Sequence, residues 1–482
     1  MKLENISLKA RILAAAALAA ALAGCAVGPD YRAPEADSVP AAFKEAAPAG
    51  WKEATPSDAA EKGEWWRIYG DALLNELEPQ VASANQTVAQ YVSRRDRAQA
   101  LLTDYEASLF PSLSASAGGA RARKNRSTGN TFSLLGSLSW ELDLWGKLRR
   151  QVTEEKALVE ASEADIANAA LSAQATLARN YFALRALDAR IALYDETIRA
   201  YEKNASILKN RYEAGAAVKS DLTQAEQSLY SARASRDDLA DQRAATEHAI
   251  AVLIGKAPAE FSIAADAKAL PAVPEIPAGV PSRLLERRPD IASAERSMAA
   301  ANEEIGIAVA GYYPDLTLTG EAGYSAGSLT RFINAKNFIW SLGASAAAPI
   351  FDAGRTASRV DQARASYEES VASYRQTVLE ALQDVEDSLA SARYLKSRLE
   401  NTEAAWKASE ETARVKANQY REGMIDYTDV YTTETARLSN AQSVLSLKSE
   451  ALQNSVTLIE SLGGGWSGLE KTAEAAGAAK AE

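Results

Sequence analysis

Tyr212, Gly215, Asp221 and Gly255 recur as Tyr420, Gly423, Asp429 and Gly463, each 208 residues further on. A constant offset at four landmarks means that the roughly forty residues spanning them carry no insertion in either copy. The surrounding text agrees: Arg211-Tyr212-Glu213-Ala214-Gly215 answers to Gln419-Tyr420-Arg421-Glu422-Gly423. Upstream, Phe110-Pro111-Ser112-Leu113 answers to Tyr313-Pro314-Asp315-Leu316 at an offset of 203, so one intervening segment differs by five residues and behaves like a loop. A period of about 200 is too long for a solenoid and fits a duplicated domain-sized unit.

The residue inventory narrows the chemistry. With 53 basic and 64 acidic residues the net charge is -11, which lacks the basic footprint that a nucleic-acid backbone rewards. Three Met, one His and one Cys among 482 residues exclude most sites built on soft or imidazole ligands. His248 has no second His and no nearby Cys to share a metal or a proton. There is no Gly-rich phosphate loop and no paired nucleophile and base, so no enzyme and no cofactor is expected.

Lys2, Lys9 and Arg11 precede the apolar run Ile12 to Ala23, then Gly24 and Cys25. A basic start, a short apolar stretch and small residues form an export signal, too short to span as a helix. Leu22-Ala23-Gly24-Cys25 resembles the bacterial lipobox. That resemblance implies removal of residues 1–24, S-diacylglycerol and N-palmitoyl groups on Cys25, and, with Ala26 next, passage to the outer membrane. Residues 25–60, with Pro29, Pro34, Pro40, Pro48 and Pro56, read as an extended tether.

Order starts near Trp65-Trp66. Asp71 suits the N-cap of a helix through Leu73, Leu74 and Leu77, and a second helical stretch runs from about Gln80 to Ala107. Period-two alternation then appears in Ser112-Leu113-Ser114-Ala115-Ser116 and in Leu138-Ser139-Trp140-Glu141-Leu142, on either side of a polar turn, Arg123 to Asn130. The second copy repeats it with Leu316 to Thr319 and Trp340 to Gly343 around a turn near Ser325 to Lys336. Such strands suit a transmembrane β-barrel, and equally a hairpin on a soluble sheet.

Each hairpin is followed by a very long helical pattern. Ile191, Tyr194, Ile198, Tyr201, Ala205, Leu208 and Tyr212 alternate spacings of 3 and 4, a coiled-coil repeat. Gly215 and Gly423 end these helices, and Asp221 and Asp429 stand where they could cap the next. The domain reading is therefore a first repeat over 71–256 (strands about 111–145, helical hairpin about 150–254), a second over 282–463 (strands about 314–352, helical hairpin about 356–462), and a tail over 464–482. Two hairpins supply four strands, which cannot close a barrel in lipid; two chains would give a side-chain-filled interior, and three leave an opening.

Several motifs in fixed order resemble the TolC-like outer membrane factor family, in its NodT-type lipoprotein branch serving RND tripartite drug efflux pumps. They are the lipobox, Trp65-Trp66 before Tyr69-Gly70-Asp71, Phe110-Pro111-Ser112-Leu113, Trp140-Glu141-Leu142-Asp143-Leu144-Trp145-Gly146-Lys147, Arg287-Arg288-Pro289-Asp290-Ile291, and Pro349-Ile350-Phe351-Asp352-Ala353-Gly354-Arg355. The resemblance implies a homotrimer: a twelve-stranded outer-membrane β-barrel, a twelve-helix periplasmic coiled-coil tunnel, and a mixed α/β equatorial belt from parts of 51–80, 256–290 and 464–482. It implies a passive exit duct for small molecules, a periplasmic adaptor as partner, and an RND-type inner-membrane transporter reached through it. The same fold also serves type I protein secretion. The gate is expected at the periplasmic helical tip, where Thr428 and Thr432 align with the family's constricting rings. Asp426 and Asp429 stand beside them as ring or capping residues. Arg287 and Arg288 are candidates for pairing with acidic groups of a neighbouring protomer.

Overall fold

The computed structural model describes residues 26–32, 40, 42–45, 63–124, 127–267, 270–276 and 287–465. The export signal, Cys25 and nearly all of the tail lie outside the described residues. Two compact units divide the chain, one of residues 1–35, 93–163 and 293–377, the other of 36–92, 164–292 and 378–482. Both repeats contribute to both.

The first unit holds a four-stranded antiparallel sheet in the order β1 (Ser112–Lys124), β2 (Ser127–Leu142), β3 (Asp315–Ala326), β4 (Phe338–Ala347). The stretch read as a turn, Arg123 to Asn130, is mostly strand: Lys124 pairs with Ser127, leaving only residues 125–126 between β1 and β2. Alternation continues through Ala120, Arg121, Ala122 and Arg123, so polar character does not interrupt the ladder. The second hairpin turns through 327–337 with two short 3-10 turns. The surplus residues of the second copy lie there and in the link from Ala348 to Gly354.

Register separates the two faces of the sheet. Leu142↔Leu316, Trp140↔Leu318, Leu134↔Tyr324 and Tyr324↔Phe338 share one face, with Leu113, Leu138, Trp340 and Leu342. Ser139↔Thr319, Ser137↔Glu321, Glu141↔Thr317 and Thr317↔Ser345 share the other, with Ser112, Ser114 and Asp315. From Leu142 to Phe132 the apolar face runs about 33 Å along β2, or about 25 Å in height at the usual strand tilt, which matches a bilayer's hydrocarbon band. The strand dimensions and the polar opposite face favour a membrane sheet over a soluble one. Among the described residues no helix is long and apolar enough to cross a membrane.

Aspartates close the strand-to-helix junctions in parallel. Asp143 accepts from the backbone N–H of Leu148 (3.0 Å) and Arg149 (3.1 Å) at the start of the helix Lys147–Glu213, while Asp352 accepts from Thr356 N–H (2.8 Å) at the start of Arg355–Arg421. Each carboxylate satisfies backbone donors that lack partners in the first turn. The Leu-Asp-Leu-Trp-Gly and Phe-Asp-Ala-Gly motifs therefore have a structural reason.

The helices are labelled α1 (Ala72–Ala84), α2 (Gln86–Ser108), α3 (Lys147–Glu213), α4 (Lys219–Leu253), α5 (Pro289–Ala310), α6 (Arg355–Arg421) and α7 (Tyr427–Ser461). α3 and α6 each have 67 residues, and α4 and α7 each have 35, so the duplication is kept to the residue. At 1.5 Å per residue, α3 is about 100 Å long.

In the second unit, Asp71 Oδ1 caps α1 by accepting from Leu73 and Leu74 N–H, both at 3.0 Å. The second helical stretch starts later than Gln80, because Asn85 breaks the run: its Oδ1 accepts from Thr87 and Val88 N–H to start α2, and its Nδ2 donates to Leu253 O at 2.9 Å. The core collects Trp65, Trp66, Tyr69, Leu74, Leu77, Tyr181, Phe182, Ile250, Leu452 and Val456. Described parts of the tether in this unit form neither helix nor strand but are held by side chains of the same unit. Lys44 and Glu45 N–H donate to the Glu386 carboxylate at 2.6 and 2.8 Å, and Phe43 packs on the core.

Candidate functional site

The tip of each helical hairpin is a glycine turn. Gly215 has φ +73° and Gly423 φ +74°, a left-handed conformation that glycine adopts without penalty. Gly215 N–H donates to Tyr212 O (2.9 Å) and Ala216 N–H to Arg211 O (2.7 Å); Gly423 and Met424 repeat both bonds to Tyr420 and Gln419 at 3.0 and 2.9 Å. These are Schellman closures, which satisfy the last carbonyls of a helix.

Asp221 and Asp429 do not cap the following helices. Val218 is the N-cap residue of α4 and Asp426 that of α7, neither with a side-chain cap bond, and Asp221 and Asp429 lie in the first turn. There their charge favours the positive end of the helix dipole. Physically, the chain re-enters helix three residues earlier than a capping aspartate would require.

The two tips are joined. Tyr427 is buried with Leu208 and Ala225, and Ala205, Leu222, Tyr420, Val430 and Tyr431 pack around them. Asn204 Nδ2 donates to Tyr427 Oη at 2.5 Å, the Tyr420 and Tyr427 rings meet edge-on at 5.6 Å, and Thr428 Oγ1 donates to Gln224 Oε1 at 3.4 Å. Burial, with the charge of nearby Tyr201 and Tyr420 in their ionised forms, pushes the Tyr427 phenol up to about 12, so it stays a neutral hydrogen-bonding group. A cavity of about 500 Å³ beside it is lined by Tyr201, Asn204, Tyr420, Tyr427, Tyr431 and Glu434, among others.

Asp426, Thr428, Asp429 and Thr432 are all exposed on the single chain. Thr428 and Thr432 stand one turn apart, and Thr432 Oγ1 donates to Thr428 O at 2.9 Å, which fixes its rotamer along α7. Thus the side of α7 bearing Tyr427 and Val430 packs inward while Thr428 and Thr432 stay exposed, Thr428 also reaching Gln224 of the first hairpin. The tyrosine and asparagine of the link were not foreseen. Tyr201 and Leu208 stood in the heptad pattern, but periodicity carries no information about which phenol finds a polar partner.

Arg288 is committed within the chain rather than presented outward. It pairs with Asp290 at 2.7 Å and Asp384 at 3.1 Å, and donates to Ser461 O at 3.2 Å. Arg287 is half-buried, and its backbone carbonyl lies against Gly463.

A second surface continues the polar face of the sheet. Asp315, at the start of β3, pairs with Lys147 (3.3 Å), which also reaches Glu141 (3.2 Å). Beyond them a cavity of about 640 Å³ is lined by Gln151, Glu154, Glu304, Asp352, Arg355 and Arg359, among others. Burial, reinforced by Glu304, Glu155 and Glu303, pushes the Glu154 carboxyl up to about 7. Among the described residues no group of acidic, His or Cys side chains is arranged to hold a metal ion.

A family described as outer membrane efflux protein matches residues 77–256 and 280–464. The chain is 28% identical to the antibiotic efflux pump outer membrane protein ArpC of Pseudomonas putida, over 96% of this chain and 97% of that protein. It is 30% identical to the pyoverdine export outer membrane protein OpmQ of Pseudomonas aeruginosa, over 85% and 89%. The outer-membrane channel OprN superposes with a TM-score of 0.84 at 30% identity, covering 92% of this chain and all of that one.

Proposed function

The chain belongs to the outer membrane efflux protein family; it is an outer-membrane efflux channel and not an enzyme, and from that premise we propose how its parts do the work. Three copies close one twelve-stranded barrel with the Thr317, Thr319 and Glu321 face inward. The observation that carries this is the sheet itself, four strands with one polar face, one apolar face, and unpaired edges at β1 and β4. In lipid each unsatisfied edge group costs several kcal/mol, so the edges must pair with other copies. Twelve strands leave a conduit, whereas eight would be filled by side chains.

Export through this conduit is passive and concerns small molecules, a reading supported by the antibiotic efflux named for ArpC and the pyoverdine export named for OpmQ. The resting gate is the helical tip: the Asn204–Tyr427 and Gln224–Thr428 contacts tie the second hairpin to the first, and Thr428 and Thr432, with Asp429 beside them, line the constriction. A periplasmic adaptor docking at the tip separates the hairpins and joins the duct to an RND-type transporter. Cys25, acylated, anchors each chain in the outer membrane. In planar bilayers the purified protein should insert as a trimer with small resting conductance. A monomer by mass in detergent, or no conductance after insertion, overturns the reading.

A further inference from the structure

The residues just past Cys25 occupy a built slot. Val27 N–H donates to Trp145 O at 3.0 Å, and three consecutive carbonyls accept from buried side chains: Val27 O from Arg150 Nε (2.8 Å), Gly28 O from Arg150 Nη2 (3.3 Å) and Pro29 O from Asn302 Nδ2 (3.3 Å). Arg150 also pairs with Glu303 at 2.6 Å, with side chains only 6% and 9% exposed. Tyr31 donates to Glu295, and its ring packs on Ala157 and Ala299.

The slot has the width of a backbone. A Cβ on Gly306 would stand 2.3 Å from Arg150 Cδ, one on Gly28 would stand 2.4 Å from Gly306 Cα, and one on Gly146 would stand 2.9 Å from Ala26 Cα. Glycine in the interior of α5 weakens that helix, so its presence at 306 needs a packing reason, and the Arg150 side chain lying against it, with Gly28 of the passing segment alongside, supplies one. A buried guanidinium has more donors than one carboxylate can satisfy, and the segment's carbonyls, with the exposed Asp30 carboxylate at 3.5 Å, take the remainder.

We infer that residues 26–31 are a docking peptide for the slot formed by Gly146, Arg150, Asn302, Glu303 and Gly306, and that this lock, rather than the acyl chains, fixes the mature N-terminus at the strand–helix junction. One consequence concerns the order of maturation. The apolar run ending at Ala23 lies two residues before Cys25, and the slot lies at the foot of β2, where the apolar face of the sheet begins. A precursor still held by that run in the inner membrane cannot place the same residues beside strands destined for another bilayer. Docking therefore follows cleavage and release.

The lock acts through peptide geometry, so it is measured at Val27, whose contact to Trp145 uses backbone only. A Val27→Cys substitution in the full-length exported chain gives a thiol that a maleimide reaches slowly when the segment is docked. Adding Gly306→Ala, which favours the helix but fills the slot, should speed labelling at least tenfold, and Arg150→Lys, which keeps the charge but loses the fork of donors, should speed it several-fold. Unchanged labelling in both, at unchanged outer-membrane levels, overturns the lock. Should Gly306→Ala fail to accumulate, Arg150→Lys alone decides. In a third arm Cys25→Ser is exported behind a leader that is cleaved without lipidation. Labelling should stay slow there; fast labelling would assign the hold to the acyl chains and overturn the inference, while leaving the duct reading intact.

Discussion

The Asn204 amide donates to the Tyr427 phenol over 2.5 Å, joining residues 223 apart in the chain. The bond ties the end of α3 to the start of α7, the points at which the two hairpin tips meet. Tyr427 is 4% exposed, so water does not readily replace the lost partner.

Tyr427→Phe keeps the ring and removes the bond. A net loss of about 1 kcal/mol for a buried hydrogen bond shifts a closed–open balance about fivefold. Single-channel recordings should show the open fraction of the resting trimer rising by that order, and Asn204→Ala should do the same without adding to it. Two independent increments in the double variant would show that the residues do not act through one bond.

Glu154 gives the conduit a pH response. Its carboxyl, raised to about 7 by burial and by Glu304, Glu155 and Glu303, is mostly protonated at pH 6 and mostly ionised at pH 8. Cation preference, read from reversal potentials under a salt gradient, should therefore increase from pH 6 to pH 8. Glu154→Gln should flatten the change.

The four landmark glycines share a backbone conformation but not an environment. Gly215 and Gly423 have no atom within 4 Å of a would-be Cβ, whereas at Gly255 it would meet Ala84 O at 2.3 Å and at Gly463 Arg287 O at 2.3 Å. Gly215→Ala should cost only the left-handed backbone penalty, about 1–2 kcal/mol, and leave assembly intact. Gly255→Ala must also move a neighbouring backbone and should sharply reduce the yield of heat-resistant trimer on gels.

The same contrast marks where the sequence is informative. The long helices, their glycine turns and the strand alternation were legible because each is periodic or tied to a turn residue: the 208-residue offset reappears in α3 against α6 and α4 against α7. Pairing between distant side chains leaves no such trace. Asp221 and Asp429 read as caps because type and approximate position fit, yet a cap requires the chain to enter helix one residue after it. Arg288 read as a candidate for pairing with a neighbouring protomer because its partner within the chain, Asp384, lies 96 residues away. The tether read only as an extended segment because most of the groups that hold it are backbone N–H and C=O, which leave no mark in the sequence.

Glu78 on α1 is fully buried, with no hydrogen-bond partner for either carboxyl oxygen among the described residues, and burial pushes its pKa up to about 9. An acid whose folded pKa lies above its unfolded value of about 4.3 binds more protons when folded, so it favours the fold most at low pH. Its contribution is lost as pH rises from about 4.3 to about 9, at up to ~1.4 kcal/mol per pH unit, and changes no further above that. Glu78→Met removes the titration. The variant should melt higher than the parent at pH 8, with the difference narrowing toward pH 4.5. A gap that widened on acidification would mean the carboxylate is stabilised in the fold.

The two faces of β3 make opposite demands on one substitution. Leu318 lies on the apolar face opposite Trp140 and Ala344, and Thr319 lies on the polar face opposite Ser139 and Gly343. Arginine on a lipid-facing barrel position costs about 2–4 kcal/mol near the bilayer midplane and less toward the interface, while an inward position leaves the charge in water. Leu318 is near the foot of the strand, so Leu318→Arg should fall at the lower end of that range. Thr319→Arg should assemble normally and instead shift ion preference toward anions, because three added positive charges would ring the conduit. The pair reads the orientation of the sheet directly. If Thr319→Arg lost assembly and Leu318→Arg kept it, the polar face would be the one against lipid, and closure of the barrel by three copies with that face inward would be wrong.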